Sequence, residues 1–247
     1  MQWIDEGVVL GARKHGESSV ILELMTRAHG RHLGLVHGGR SKVLQPVLQP
    51  GNTLQVTWRA RLDEHLGTYH VEGREQRAAR FIASPLALYG LATIAALLRY
   101  LPERDPHPVL FETLAVLVEH LDDVDLAPPL FVRFELAILA ELGFGLDLSR
   151  CAATNTTENL AYVSPKSGRA VCAMAGEPYR DRLLVLPGFL IRQQRSNHPA
   201  QEEVTAGFLL TGFFLRQNVF EPRGEAPPPE RARFVALVTA GDGDRRF

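Results

Sequence analysis

The spacing of apolar positions changes once along the chain. Before residue 80 they come in short runs bounded by glycines and turn residues, at 7–12, 20–25, 32–36, 54–59 and 67–72. Short alternating runs of this kind read as strands, and five of them in succession predict a small closed or nearly closed antiparallel barrel. Beyond residue 85 the runs lengthen and take helical spacing, at 86–100, 109–121 and 130–142. Each follows a proline, which suits a first helical turn, and the third ends at Gly143, which suits a C-cap.

The helical pattern breaks at 145–178, a stretch rich in Ser, Thr, Asn and Gly that holds both cysteines and reads as an irregular or small β excursion. Helical spacing resumes over 200–218. Pro227 to Pro229 separates it from a short closing helix at 230–239, and the last seven residues, GDGDRRF, read as a frayed tail. The fold class is therefore α+β. The domains expected are 1–80, a barrel, and 81–247, a helical domain interrupted by the excursion.

Composition narrows the classes. With 247 residues, 45% hydrophobic and 22% charged, the chain is neither disordered, collagen-like nor a disulfide scaffold. Cys151 and Cys172 are too few to staple a secreted protein of this size. The start, MQWIDEGVVL, has acids where a signal peptide carries positive charge. The most membrane-like stretch, 86–101, carries Arg99 and falls short of the roughly 20 residues a bilayer requires, so a buried helix is expected. A cytoplasmic protein with no membrane partner is the expectation.

The net charge of −1 counts against a globally basic nucleic-acid binder. It is an average over unlike halves, however: residues 1–80 carry +3 and the remainder −4. Within 13–42 the net is +4, from Arg13, Lys14, Arg27, Arg31, Arg40 and Lys42 against Glu17 and Glu23. Barrel loops converge on one surface, so Arg13, Lys14, Arg31, Arg40 and Lys42 are the candidate phosphate contacts, with Gly38-Gly39 allowing close backbone approach. Trp3, Trp58 and Tyr69 are the only Trp or Tyr residues nearby, which favours backbone contacts over stacked-base recognition.

Catalytic signatures are missing. There is no GxSxG elbow, HExxH helix, phosphate loop or GxGxxG. His15-Gly16-Glu17 matches half of a zinc deaminase signature without its cysteine half, and Asp63-Glu64-His65 reads as an exposed hairpin turn. Cys151 and Cys172 have Thr154 and Ala175 at the partner positions of a CxxC pair, so no structural metal and no cofactor are expected. Two small half-buried residues, or a strained or conditional disulfide, remain open. A non-enzymatic protein is the expectation.

The stretch GVVLGARKHGESSVILELMTRAHGRHLGLVHGGRSKV, with LQPGNTLQVTW, LFVRFELAILAELGFGLDLSRC, AYVSPKSGRAVC and LLVLPGFL further on, resembles RecO, the bacterial DNA repair and recombination mediator family. The resemblance implies an amino-terminal OB-fold, then a helical domain with a zinc-finger-like insertion. It also implies binding of single- and double-stranded DNA, annealing, association with RecR, and help to RecA in displacing single-stranded DNA-binding protein, with RecF in the same pathway and localisation at the nucleoid. Arg13, Lys14, Arg40 and Lys42 match the family's basic groups. Arg133, flanked by Phe131 and Phe134, is a candidate cation for the acidic carboxy-terminal tail of single-stranded DNA-binding protein. Family members that bind zinc have four cysteines in the insertion. This chain keeps two, so packing around Leu146, Leu160, Tyr162 and Val171 is expected to hold it. The competing classes are an OB-fold adaptor without annealing activity and a nuclease using Asp63 and Glu64.

Overall fold

The first strand, β1 (Gln2–His15), is long because it serves two partners. Its first half pairs with β4 (Thr53–Arg59), from Gln2 opposite Arg59 to Val8 opposite Thr53. Its second half pairs with β2 (Ser19–Thr26), from Gly7 opposite Thr26 to His15 opposite Ser19. A bulge between Val9 and Gly11 supplies the bend needed to change partner. In the computed structural model, which describes residues 1–191 and 198–240, β3 (Gly30–Val36) and β5 (Thr68–Glu75) complete a closed barrel in the order β1-β2-β3-β5-β4.

One seam departs from the antiparallel expectation. β3 and β5 run parallel, with Leu35 opposite Thr68, because a whole strand and its connections intervene between them. The interior is filled by Val9, Val20, Leu22, Leu24, Val36, Leu54, Val56, Trp58 and Tyr69. Gly34 is required by this packing: a Cβ there would come within 2.4 Å of the Tyr69 ring. Between β3 and β4 the chain makes successive turns that add Leu48 to the core. Buried Asn52 ties these turns to the first helix, donating to Pro46 and Val47 carbonyls and accepting from the Arg77 and Ala78 amides.

Three helices follow: α1 (Ala78–Ile82), α2 (Pro85–Leu98) and α3 (Pro108–Glu119). The first was not legible as a run; the others match the expected helices to within two residues at each end. Ser84 caps α2 by accepting from the Ala87 amide, and Pro85 occupies the first turn. All three belong with the barrel in one compact unit, Met1–Asp122; the second unit is Asp123–Phe247. Within the first, Arg77 reaches Glu119, Arg27 bridges Glu6 and Glu112, and Phe81 lies where a Gly51 side chain would stand.

In the second unit, α4 (Ala127–Glu141), α6 (Gln201–Leu215) and α7 (Pro229–Thr239) bury Phe131, Phe208 and Phe234, with the Phe131 and Phe234 rings 4.3 Å apart. A π-helical turn, Arg216–Phe220, continues α6. The excursion contains β6 (Leu160–Val163), β7 (Ala170–Cys172), the four-residue α5 (Ala173–Gly176) and β8 (Leu184–Val185), with a three-stranded sheet in the order β7-β6-β8. The tail expected at 241–247 lies outside the described residues. No helix among the described residues is long and apolar enough to cross a membrane, and the 86–101 stretch is the buried α2.

Candidate nucleic-acid interface

Backbone pairing brings three connections to the same end of β3. Ser19 and Val20 follow the β1–β2 turn, and Val20 pairs with Val36. The Arg40 amide donates to Ser18 O at 3.0 Å, and its guanidinium donates to Glu17 O at 2.6 Å, so Arg40 locks this turn to the segment after β3. On the other side of β3, the Leu35 amide donates to Gly67 O at 3.0 Å, which fixes the end of the β4–β5 turn. In OB-folds the turns equivalent to β1–β2 and β4–β5 rim the ligand surface.

The predicted cations divide into two groups. Lys14 and Arg40 line one groove of about 350 Å³ together with Gln45 and Gln49. Arg13 lines a second, of about 400 Å³, with Arg99, Ile21 and Leu33. Arg13, Lys14 and Lys42 are exposed, and the structure gives their side chains no acidic partner among the described residues. The Arg40 charge is also uncompensated, since it donates only to carbonyls.

Arg31 lies apart from these. Its side chain is 14% exposed and bonds Glu23 at 3.0 Å, and Arg99 takes the other carboxylate oxygen of Glu23 at 2.7 Å. Burial pushes the Glu23 carboxyl up, but the hydrogen bonds and charges of Arg99 and Arg31 outweigh it and hold the group below the usual carboxylate range. The backbone of Arg31 is also covered, its carbonyl accepting from the Arg104 amide at 2.8 Å.

Sequence reasoning passed over Arg59 and Arg61. Both are exposed at the start of the β4–β5 turn, and neither side chain has an acidic partner among the described residues. The nearby Asp63 and Glu64 conceal them in a local charge count, although the structure shows those carboxylates exposed on the turn expected of them. Arg104 fixes this turn by donating to the carbonyls of Asp63 and His65, with its guanidinium 5.9 Å from the Trp58 ring centroid. Trp58 Nε1–H donates to Leu66 O at 3.0 Å, completing a preorganised loop.

Behind the turn is an aromatic cluster. Trp3, half-buried, stacks on His29 at 4.0 Å and on Trp58 at 5.5 Å. His32, 2% exposed, shares a 2.8 Å hydrogen bond with the Tyr69 hydroxyl. Burial, and then the Arg104 charge, push the His32 imidazole down to about 4. Trp58 and Tyr69 belong to the barrel core, and half-buried Trp3 packs against it.

In the helical unit, Arg133 is half-buried. It donates to Phe189 O at 3.2 Å, with its guanidinium 5.7 Å from that ring's centroid. Phe131 and Phe134, expected to flank it in the contact, are fully buried, because helical spacing turns them inward with Glu135 and Ile138. The excursion is held differently from expectation too. Leu160, Val163, Ala170 and both cysteines are buried, whereas Leu146, Tyr162 and Val171 are half-buried, the β6 register being shifted by an irregularity between Leu160 and Tyr162.

Cys151 and Cys172 are free thiols. Cys151 Sγ accepts from the Cys172 amide at 3.2 Å, and Thr154 Oγ1 is 3.6 Å from Cys172 Sγ. Burial pushes the Cys151 thiol up, but hydrogen bonds from Thr154 and from the amides of Cys172, Thr154 and Ala153 bring it to about 6. Among the described residues no three His, Cys, Asp or Glu side chains gather as a metal would require. A two-thiol set with Thr154 and Ala175 does not fit a tetrahedral zinc site.

The strand order and the two rim turns define the class: an OB-fold barrel with a cationic end, followed by a helical unit. Residues 1–76 match the family model described as Recombination protein O N terminal, and residues 83–226 match Recombination protein O C terminal. The chain is 64% identical over 246 residues to the DNA repair protein RecO of Methylobacterium nodulans, covering 98% of this chain and 100% of that one. It is 63% identical over 243 residues to that of a Methylorubrum extorquens strain (97% and 99% covered), and 58% identical over 248 residues to that of Mesorhizobium japonicum (100% and 97% covered). The chain belongs to the RecO family, and its role lies in DNA repair and recombination.

Proposed function

We propose that this protein is a non-enzymatic recombination mediator that captures single- and double-stranded DNA electrostatically, anneals complementary strands and, with RecR, helps RecA replace single-stranded DNA-binding protein in the cytoplasm at the nucleoid. One observation carries this reading: Arg13, Lys14, Arg40, Lys42, Arg59 and Arg61 stand on strand ends and connections that meet around the end of β3 with no acidic partner among the described residues, while Arg27, Arg31 and Arg77 of the same unit are paired. Phosphates would replace counterions at these cations, giving affinity without base readout. For the acidic tail of single-stranded DNA-binding protein, Arg133 on Phe189 is the candidate contact in the helical unit.

The test is annealing of complementary strands coated with single-stranded DNA-binding protein, with and without this chain and RecR. Acceleration that is lost in the Arg40→Ala, Lys42→Ala double variant supports the mediator. No acceleration with RecR present refutes it. DNA affinity unchanged in that variant favours the adaptor, and magnesium-dependent cleavage abolished by Asp63→Ala restores the nuclease.

A further inference from the structure

Adjacent residues of a strand point to opposite faces, and β1 uses this at its free end. Arg13 pairs with Ile21, on the outer face of the barrel wall, whereas Lys14 pairs with Val20, on the face that continues into the core. The two grooves follow the same division. The outer one is walled by Arg13 and Arg99 over an apolar floor of Ile21 and Leu33. The other is walled by Lys14 and Arg40, with Gln45 beside them and Val20 and Leu48 beneath. Ala12 lines both, so the β1–β2 hairpin is a partition with a cationic groove on either side.

Both grooves suit the same ligand chemistry. Each joins free cationic charge, which takes phosphate, to a small apolar floor, which takes a sugar or an unstacked base: Arg13 in the outer groove, where Arg99 is ion-paired with Glu23, and Lys14 with Arg40 in the other. The acid in the outer groove, Glu23, is already neutralised by Arg31 and Arg99, so Arg13 keeps its charge for a ligand. A short segment lying against Arg13 is on the opposite face of the sheet from Lys14, and only a longer strand that passes over the turn reaches both.

We propose that the hairpin holds two single-stranded segments at once, one per groove, so that a single chain carries both partners of an annealing reaction. This rests on the DNA-binding reading and gives it a stoichiometry. The two strands would be presented on either side of the β1–β2 turn, where Gly16 has a positive φ of 60° and a Cβ would meet nothing within 4 Å, so the tip is uncrowded. Encounter between strands then becomes intramolecular, and the effective concentration rises without any new contact.

The experiment titrates the full chain with a labelled oligothymidylate of about eight nucleotides, short enough for one OB-fold site. Wild-type protein is expected to saturate at two oligonucleotides per chain. Arg13→Ala and Lys14→Ala should each saturate at one, with the remaining site within about threefold of its original affinity, and each should slow annealing of complementary strands by about tenfold or more. The double variant should lose both sites. Saturation of the wild type at one oligonucleotide per chain, or two single variants that weaken one shared site, overturns the two-groove assignment and leaves DNA binding standing. Wild-type protein that binds no oligonucleotide at low salt overturns both.

Discussion

The barrel end and the helical core use the same residue type for opposite purposes. In the helical unit, Arg231 is 13% exposed and grips fully buried Glu135 through Nε and Nη2, at 2.6 and 2.9 Å, while Thr211 donates to the same carboxylate at 2.5 Å. Burial pushes the Arg231 guanidinium down, but the Glu135 charge outweighs it and raises it. At the barrel end, Arg13, Lys14 and Lys42 face solvent with no acid to satisfy among the described residues. What separates a structural cation from a functional one is therefore its partner. Arg31 shows this within the barrel itself: it belongs to the basic stretch by sequence and to an ion pair by structure.

The largest effect is expected where a buried partner would be orphaned. Arg231→Ala strands the Glu135 carboxylate and should cost about 3–5 kcal/mol in urea unfolding. A loss below about 1 kcal/mol would mean the pair is solvated and the contrast with the barrel end is overstated.

The next effect is pH-dependent. Folding keeps His32 neutral down to about pH 4, whereas the unfolded imidazole takes a proton near 6.5. The folded pKa is depressed, so this residue costs nothing above pH 6.5 and destabilises progressively as pH falls from 6.5 towards 4. Allowing for partial solvation, the loss is about 2 kcal/mol. His32→Gln, compared with wild type across that window, should remove this part of the slope; parallel stability curves would contradict it.

Arg31→Gln separates the two roles directly. It should destabilise the barrel by about 1–2 kcal/mol and leave the salt dependence of DNA binding unchanged. A flatter salt dependence with unchanged stability would return Arg31 to the interface. The smallest stability effect belongs to the Arg59→Ala, Arg61→Ala double variant, within about 0.5 kcal/mol of wild type. Its salt slope should nonetheless fall by about 1 to 1.5.

Much of the fold was legible because burial imposes its period on sequence. The five strand runs and the proline-started α2, α3 and α4 follow from local pattern alone. The early start of β1 was not legible, since Gln2 to Glu6 owe their strand form to pairing with β4, far along the chain. The candidate site was half visible for the same reason. Lys14, Arg40 and Lys42 stand out as basic clusters, but no local signal distinguishes free Arg13 from paired Arg31, because Glu23 and Arg99 come from other elements. Arg59 and Arg61 were hidden by Asp63 and Glu64, which a charge count subtracts and the structure leaves exposed on the same turn.

If the unpaired cations around the end of β3 carry the DNA affinity, they must also carry its salt dependence. The direct measurement is the binding constant for single-stranded DNA against salt, for wild type and for a variant with Arg13, Lys14, Arg40 and Lys42 all replaced by alanine. Six phosphate contacts predict a wild-type slope of about −4 on a log–log plot, and the variant should fall to about −1.5 with weaker binding at every sequence tested. A variant that keeps the wild-type slope and affinity would contradict the claim and place the DNA elsewhere on the protein.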